Sequence, residues 1–494
     1  MAQHDHRVST RIAAASTNER MRGGARTSVS KVLCRAGLSL LPLLLAGAVV
    51  VATAGGLTPQ ASSPATTSSA KADARPATGS TTTTDATPTT TSTTTPSTTT
   101  TPPAAANSSD RTATTVPAAT PPSTPPVAPT TTTTDPPTPA GVIGVSGGHL
   151  EIDGVPYTFL GVNAYEIGTE FGVNPGCGSQ VSDAQLNELF SSLPPNSLVR
   201  IWAFQDAIAT NVQTDQLDWA PLDRVFAAAA AHGQRLIVAL TDQGGVCDGD
   251  HWQDPSWYEG GFMDVFNSPS NSDGSGHTPL SYWDYMQDVV NRYKNSPALG
   301  MWEPISEAEA STCDGNYYPG TCWGHTSCPD EAVAAAALRH FFDVVGAEIH
   351  TLDPNHLVES GLLGGGQCGT ESGDYEYVSA SPGIDVLSYH DYYVGAAMGG
   401  DQWNGIGVRI AQAAALDKPI IAGEMGLDAG TAPGCMTLAA RSAEIQAKIQ
   451  AQMAAGTSGV LIWDWLPAPS SPCTTDTFPG DPLMAVIAAG PPPT

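Results

Sequence analysis

The chain has 494 residues, with 20 Lys+Arg against 48 Asp+Glu and a formal net charge of −28. From Gly141 onward it holds 10 basic and 42 acidic residues; a surface of that sign repels nucleic-acid backbone and anionic lipid, which excludes DNA and RNA as partners. Hydrophobic residues at 41% allow a real core, while 41 Pro and 50 Gly indicate that part of the chain does not pack.

Three zones separate by composition. Residues 1–57 open with a basic stretch (Arg7, Arg11, Arg20, Arg22, Arg26, Lys31, Arg35), followed by an uncharged apolar run over 36–57. Ala52-Thr53-Ala54 fits a small-x-small cleavage site, so this zone reads as a secretion signal, or uncleaved as a membrane anchor with the C-terminal part outside. Residues 58–140 are Thr, Pro, Ser and Ala without apolar periodicity. Such a segment buries too little surface to offset its ordering entropy, which predicts a disordered linker, bare or O-glycosylated. Residues 141–494 have the length of one α/β barrel.

Within the third zone, short apolar runs alternate with helical patterns. They predict strands over 158–162, 198–202, 236–240, 299–302, 356–360, 386–389, 419–423 and 460–463. Ser182 is placed to cap a helix from Asp183. Leu222, Val225, Phe226, Ala229 and Ala230 share one helix face, with Gly233 as the stop. Tyr282, Tyr285, Met286, Val289, Val290 and Tyr293 repeat the pattern. Between the fifth and sixth strands the chain is Gly-rich and only weakly helical. Eight strand–helix units predict a (β/α)8 TIM barrel with its site at the C-terminal strand ends.

Cysteines support an exported chain. Cys177, Cys247, Cys313, Cys322, Cys328, Cys368, Cys435 and Cys473 all fall in segments that follow predicted strands, so up to four disulfides would staple the catalytic rim. Paired C-x-x-C spacing, the mark of a metal cluster, does not occur in the sequence. Cys247-Asp248-Gly249-Asp250 reads as a turn with an acidic cluster.

The informative residues end the strands. The fourth strand leads into Trp302-Glu303-Pro304-Ile305-Ser306-Glu307, and the seventh ends Ala422-Gly423-Glu424-Met425-Gly426. Two carboxylates facing each other across a barrel mouth suit retaining glycoside hydrolysis, in which one attacks the anomeric carbon and the other protonates the leaving oxygen. Glu303 reads as a buried strand residue held by hydrogen bonds.

With these motifs the chain resembles glycoside hydrolase family 5 and its clan of barrel enzymes, nearest to the endo-β-mannanases, over roughly residues 152–465. Val199-Arg200-Ile201-Trp202-Ala203-Phe204 resembles that family's second-strand motif, Trp302 to Glu307 its acid/base motif, and Ser388-Tyr389-His390-Asp391-Tyr392 its His-x-Tyr motif. Lys418 to Gly426 is similar to its nucleophile strand, and Gly459 to Trp463 to its last strand.

The resemblance implies Glu307 as acid/base and Glu424 as nucleophile. It places Arg200, Trp202, Ser306, His390, Tyr392 and Trp463 around the sugar: Arg200 and Tyr392 on Glu424, His390 beside the acid/base, and Trp463 as the floor under the ring. Ser306 stands where the family has an Asn that contacts the sugar 2-hydroxyl. Trp252, Trp257, Trp323, Trp403 and Trp465 occur in or near strand-following loops as candidate stacking subsites or core.

The expectation is a monomeric, secreted or surface-tethered retaining endo-β-glycosidase. It cleaves a β-1,4-linked polysaccharide, mannan or glucomannan, and needs no metal or organic cofactor. Two alternatives stand beside it. One is a cellulase or exo-β-glycosidase of the same clan; the other is a catalytically silent carbohydrate-binding wall protein.

Overall fold

The computed structural model describes residues 141–493 apart from 169–180, 212–213, 215, 246–251, 266–278, 315–316, 319–320, 323–324 and 329. The signal or anchor segment, the linker, Cys177, Cys247 with its acidic turn, and Trp323 lie outside the described residues. Among the described residues no helix is long and apolar enough to cross a membrane.

Eight strands make one parallel sheet: β1 (Phe159–Asn163), β2 (Leu198–Trp202), β3 (Arg235–Ala239), β4 (Leu299–Glu303), β5 (Leu357–Val358), β6 (Leu387–Asp391), β7 (Ile420–Met425) and β8 (Thr457–Ile462). Their order is β5-β4-β3-β2-β1-β8-β7-β6. A parallel bridge between Glu359 and Val386 joins β5 to β6, and Ser360 N–H donates to the Val386 carbonyl at 3.0 Å. The sheet is therefore closed, and the chain is a (β/α)8 barrel.

Each strand is followed by a helix: α1 (Asp183–Ser192), α2 (Ala220–Ala231), α3 (Tyr282–Tyr293), α4 (Glu331–Leu352), α5 (Gly373–Ser379), α6 (Ile406–Ala415), α7 (Leu438–Ala454) and α8 (Pro482–Ala488). Ser182 and Gln185 form a reciprocal capping box at α1. On α3 the six residues of the apolar stripe are the buried ones. The β5 unit is short in both parts, with two residues in β5 and seven in α5, in keeping with its Gly-rich connection.

A three-stranded antiparallel sheet (Ile143–Ser146, His149–Ile152, Val155–Pro156) precedes the barrel. Its Ile143 and Leu150 pack with Phe159, Leu198, Ile237, Met301, Val386, Ile421 and Leu461, taken from seven strands or their edges. These side chains pack the barrel interior at the N-terminal end.

The rim is stapled. Cys328 pairs with Cys368, linking the segments after β4 and β5, and Cys435 pairs with Cys473, linking those after β7 and β8. Cys313, after β4, is also disulfide-bonded. The Cys435–Cys473 bond closes a sequence separation of 38 residues. Replacing both cysteines by Ser is expected to lower unfolding stability by about 2–4 kcal/mol. Chemical denaturation checks this, and an unchanged midpoint would mean that the rim holds without the staple.

Candidate active site

Arg200 sits near the end of β2, is 1% exposed, and has its five N–H donors committed. Nε and Nη2 grip the two oxygens of Glu303, each at 2.6 Å. Nη1 donates to Asn163 Oδ1 and to Glu424 Oε1, both at 2.9 Å. Nη2 also donates to Ser306 Oγ at 2.7 Å. Four strands thus converge on one guanidinium: Asn163 ends β1, Glu303 ends β4 with Ser306 just beyond, and Glu424 lies in β7. Burial alone would lower the Arg200 pKa; the Glu303 and Glu424 charges and hydrogen bonds outweigh it, so the cation is permanent. Each Arg200 donor holds a protein group, so the guanidinium orders the carboxylates around it.

Glu424 is 4% exposed. Burial raises its carboxyl above the ordinary value and the Glu307 charge adds to this; His390, Arg200 and the Tyr392 hydroxyl act in the opposite sense. Tyr392 donates its hydroxyl to Glu424 Oε2. Burial and the two nearby carboxylates hold the phenol well above its usual range, so it stays a donor. Gly426 makes room for this arrangement: a Cβ there would come within 2.8 Å of the Tyr392 ring and 3.1 Å of the Trp463 carbonyl.

Across the mouth stands Glu307, whose side chain is 35% exposed. His390 Nδ1 lies 2.6 Å from Glu307 Oε1 and 3.4 Å from Glu424 Oε2. One ligating atom from each of Glu307, His390 and Glu424 falls within 4.8 Å of the others. Burial lowers the His390 pKa, leaving a neutral imidazole at neutral pH. Carboxylates this close have the spacing of a double-displacement pair rather than of a water-spaced one. The second acidic group within reach of one cation, Cys328, Glu331 and Cys368, has its two cysteines joined in a disulfide.

Aromatic rings form one wall. Tyr165 stacks on Trp463 with centroids 5.1 Å apart and planes 3° from parallel. Trp202 lies 4.4 Å from Tyr165 and 4.7 Å from Phe204. Trp463 is 5% exposed, with one face taken by Tyr165. Of the loop aromatics, Trp257 and Trp465 are core, Trp252 is half-buried with its indole N–H on the Ser311 carbonyl, and Trp403 is 58% exposed.

The structure brings Arg200, Ser306, Glu307, His390, Tyr392 and Glu424 together, with Trp202 and Trp463 in the adjoining wall. Sequence reasoning missed Asn163, Glu359 and Tyr165. Asn163 and Glu359 carry a readable signal, a polar residue closing an apolar strand at its C-terminal end. Tyr165 carries none beyond lying after the first strand.

No known family's sequence profile matches the chain. The chain is similar to a probable mannan endo-1,4-β-mannosidase C of Aspergillus terreus, at 26% identity over 294 residues, 51% of this chain and 65% of that protein. It is similar also to a probable mannan endo-1,4-β-mannosidase A-2 of the same fungus, at 26% identity over 364 residues, 66% of this chain and 79% of that protein. Against the first five such relatives the match spans 59–65% of their length. Among solved structures, the endo-1,4-β-mannanase from Rhizomucor miehei superposes with a TM-score of 0.49 and 19% identity, covering 70% of this chain and 97% of that one.

Arg200 is the only cation bonded to Glu303 and Glu424 among the described residues. Arg200→Met leaves both carboxylates buried without it and is expected to cost about 3–5 kcal/mol of stability. Equilibrium denaturation reads this; a midpoint equal to that of the wild type would contradict the charge accounting.

Proposed function

We propose that the chain is a retaining endo-β-mannanase that cleaves β-1,4-mannosidic bonds in mannan or glucomannan. The observation that carries the reading is the pair of carboxylates, Glu307 and Glu424, gathered with His390 within 4.8 Å at the barrel mouth. The similarity to named mannan endo-1,4-β-mannosidases supports the choice of sugar.

In this reading Glu424 attacks the anomeric carbon while Glu307 gives its proton to the glycosidic oxygen. The C–O bond to the leaving sugar breaks and a glycosyl ester on Glu424 forms. Water then attacks the same carbon, Glu307 takes the water proton, and the ester carboxylate is released. Arg200 and Tyr392 stabilise the ionised Glu424. His390 orients Glu307, and the Trp463 wall receives the apolar face of the ring. The chain acts as an exported monomer, its N-terminal basic and apolar segment serving as signal or tether.

A second reading, another β-glycan for the same site, is favoured by Ser306. Its hydroxyl is shorter than an amide and is engaged by Arg200 at 2.7 Å, so its contact with a sugar 2-hydroxyl differs from that of Asn. A panel of mannan, glucomannan, cellulose and xylan with product-length analysis separates the readings. Mannan cleaved to mixed oligosaccharides is the expected result; activity confined to another polymer, or release of single sugars, would overturn it.

Glu424→Ala should lose several orders of magnitude in turnover with the fold intact, and azide should restore part of it with inverted product. Retained turnover would remove the nucleophile assignment. The acid limb of the rate profile follows protonation of Glu424, whose pKa is raised, so kcat/KM falls as pH drops through a value above the ordinary carboxylate one. Tyr392→Phe deletes a group that lowers that pKa and should move the limb to higher pH; movement to lower pH would contradict the assignment.

A further inference from the structure

Glu307 has a backbone that long side chains avoid. Its φ is +57°, in the left-handed region, which costs an L-residue on the order of 1 kcal/mol or more. The other non-glycine residues of this kind among the described residues are Asp153, Asn196, Ser372 and Asp417, all short and polar.

What holds Glu307 there is visible on both sides. Before it, the Ser306 N–H donates to the Thr241 carbonyl at 2.8 Å, and the Ser306 carbonyl accepts from Gln243 N–H at 3.0 Å. These bonds tie Ser306 to the segment after β3. Glu307 itself turns the other way: its N–H donates to the Gly361 carbonyl at 2.7 Å, beyond β5.

Gly361 is fixed in turn. Its φ is +64°, and a Cβ would lie 2.0 Å from the Ile305 carbonyl oxygen and 2.8 Å from Glu303 Oε1. Its N–H donates to Glu359 Oε1 at 3.0 Å. Glu359 is 1% exposed, and its own N–H donates to the Trp302 carbonyl at 2.7 Å. It carries no salt bridge among those found in the described residues. Burial, and then the Glu303 charge, push its carboxyl well above the usual range, against the Arg200 charge and the hydrogen bonds from Gly361 and Ser388. Its carboxyl oxygen accepts from the peptide that pins Glu307, and that bond is the route from Glu359 to the site.

We propose that Glu359 is a positioning residue for Glu307: its carboxyl oxygen fixes the Gly361 peptide, whose carbonyl pins the Glu307 N–H and aims that side chain at the leaving oxygen. The inference rests on the glycosidase reading and on Glu307 as its acid.

The test compares an unactivated manno-oligosaccharide with the 2,4-dinitrophenyl glycoside of the same sugar, since an activated leaving group needs little protonation. Wild type hydrolyses both. Glu359→Met fills the space without an acceptor and is expected to lose at least about 10-fold on the oligosaccharide relative to the aryl glycoside. Glu359→Gln keeps the amide oxygen for Gly361 and should stay within about threefold of wild type on both. Glu359→Ala repeats the Met test if Met does not pack.

Equal loss on both substrates, no loss on either, or Gln as impaired as Met would overturn the inference, the last by making the role one of charge. Failure of both Met and Ala to fold would also overturn it, because a role confined to the clamp leaves the core intact. A wild type inert on both substrates would overturn the glycosidase reading, and this inference with it.

Discussion

One guanidinium, buried where four strand ends converge, is the constraint on which the rest of the mouth depends. Arg200 has five donors in a fixed plane, and all five are spent: two on Glu303, one each on Asn163, Glu424 and Ser306. A lysine has three donors and a point charge, and could not hold five acceptors in that plane. The bidentate grip on Glu303 fixes the orientation of the fork, and the orientation fixes where Glu424 stands. The same cation offsets part of the cost of burying Glu424 beside Glu307.

The barrel converts this clamp into a site by closing around it. The N-terminal end is packed by Ile143, Leu150 and the strand residues above them, and the Arg200 cluster lies at the C-terminal strand ends. There the chain leaves the strands in different ways. β7 runs on through Glu424, held in the sheet. β4 ends at Glu303, and the chain then turns through a left-handed residue at Glu307, more exposed than Glu424. One carboxylate is locked in a strand against a cation; the other lies on a turn with 35% of its side chain exposed. That asymmetry is what a division of labour between an ionised attacker and a proton carrier requires.

Much of this was legible in the sequence, and the limits are physical. β2 has the bounds its apolar run predicts. β8 begins at Thr457 rather than 460, because Thr457 and Gly459 pair with β7 through the backbone, across a register shift at Ser458, without an apolar signal. β5 shrinks to two residues, with Glu359 joining the sheet by a bridge. Glu424 is legible as an acid at the end of an apolar run, and Glu307 through the motif that runs from Trp302 past the end of β4. Glu303 read correctly as a hydrogen-bonded strand residue; that its partner is Arg200, 103 residues away, is a fact of closure that no local pattern carries. The same holds for Asn163, whose partners Arg200 and Gly423 lie 37 and 260 residues off. Tyr165 stacks on Trp463 only because β1 and β8 are neighbours in the closed sheet.

The claim at the centre is that Glu424 becomes covalently bonded to the sugar. A 2-deoxy-2-fluoro-mannosyl donor with a good leaving group slows release of that ester enough to weigh it. Intact mass followed by peptide mapping should show one added glycosyl unit per chain, carried by Glu424. A label on Glu307, or steady hydrolysis of the donor with no label at any residue, would contradict the account.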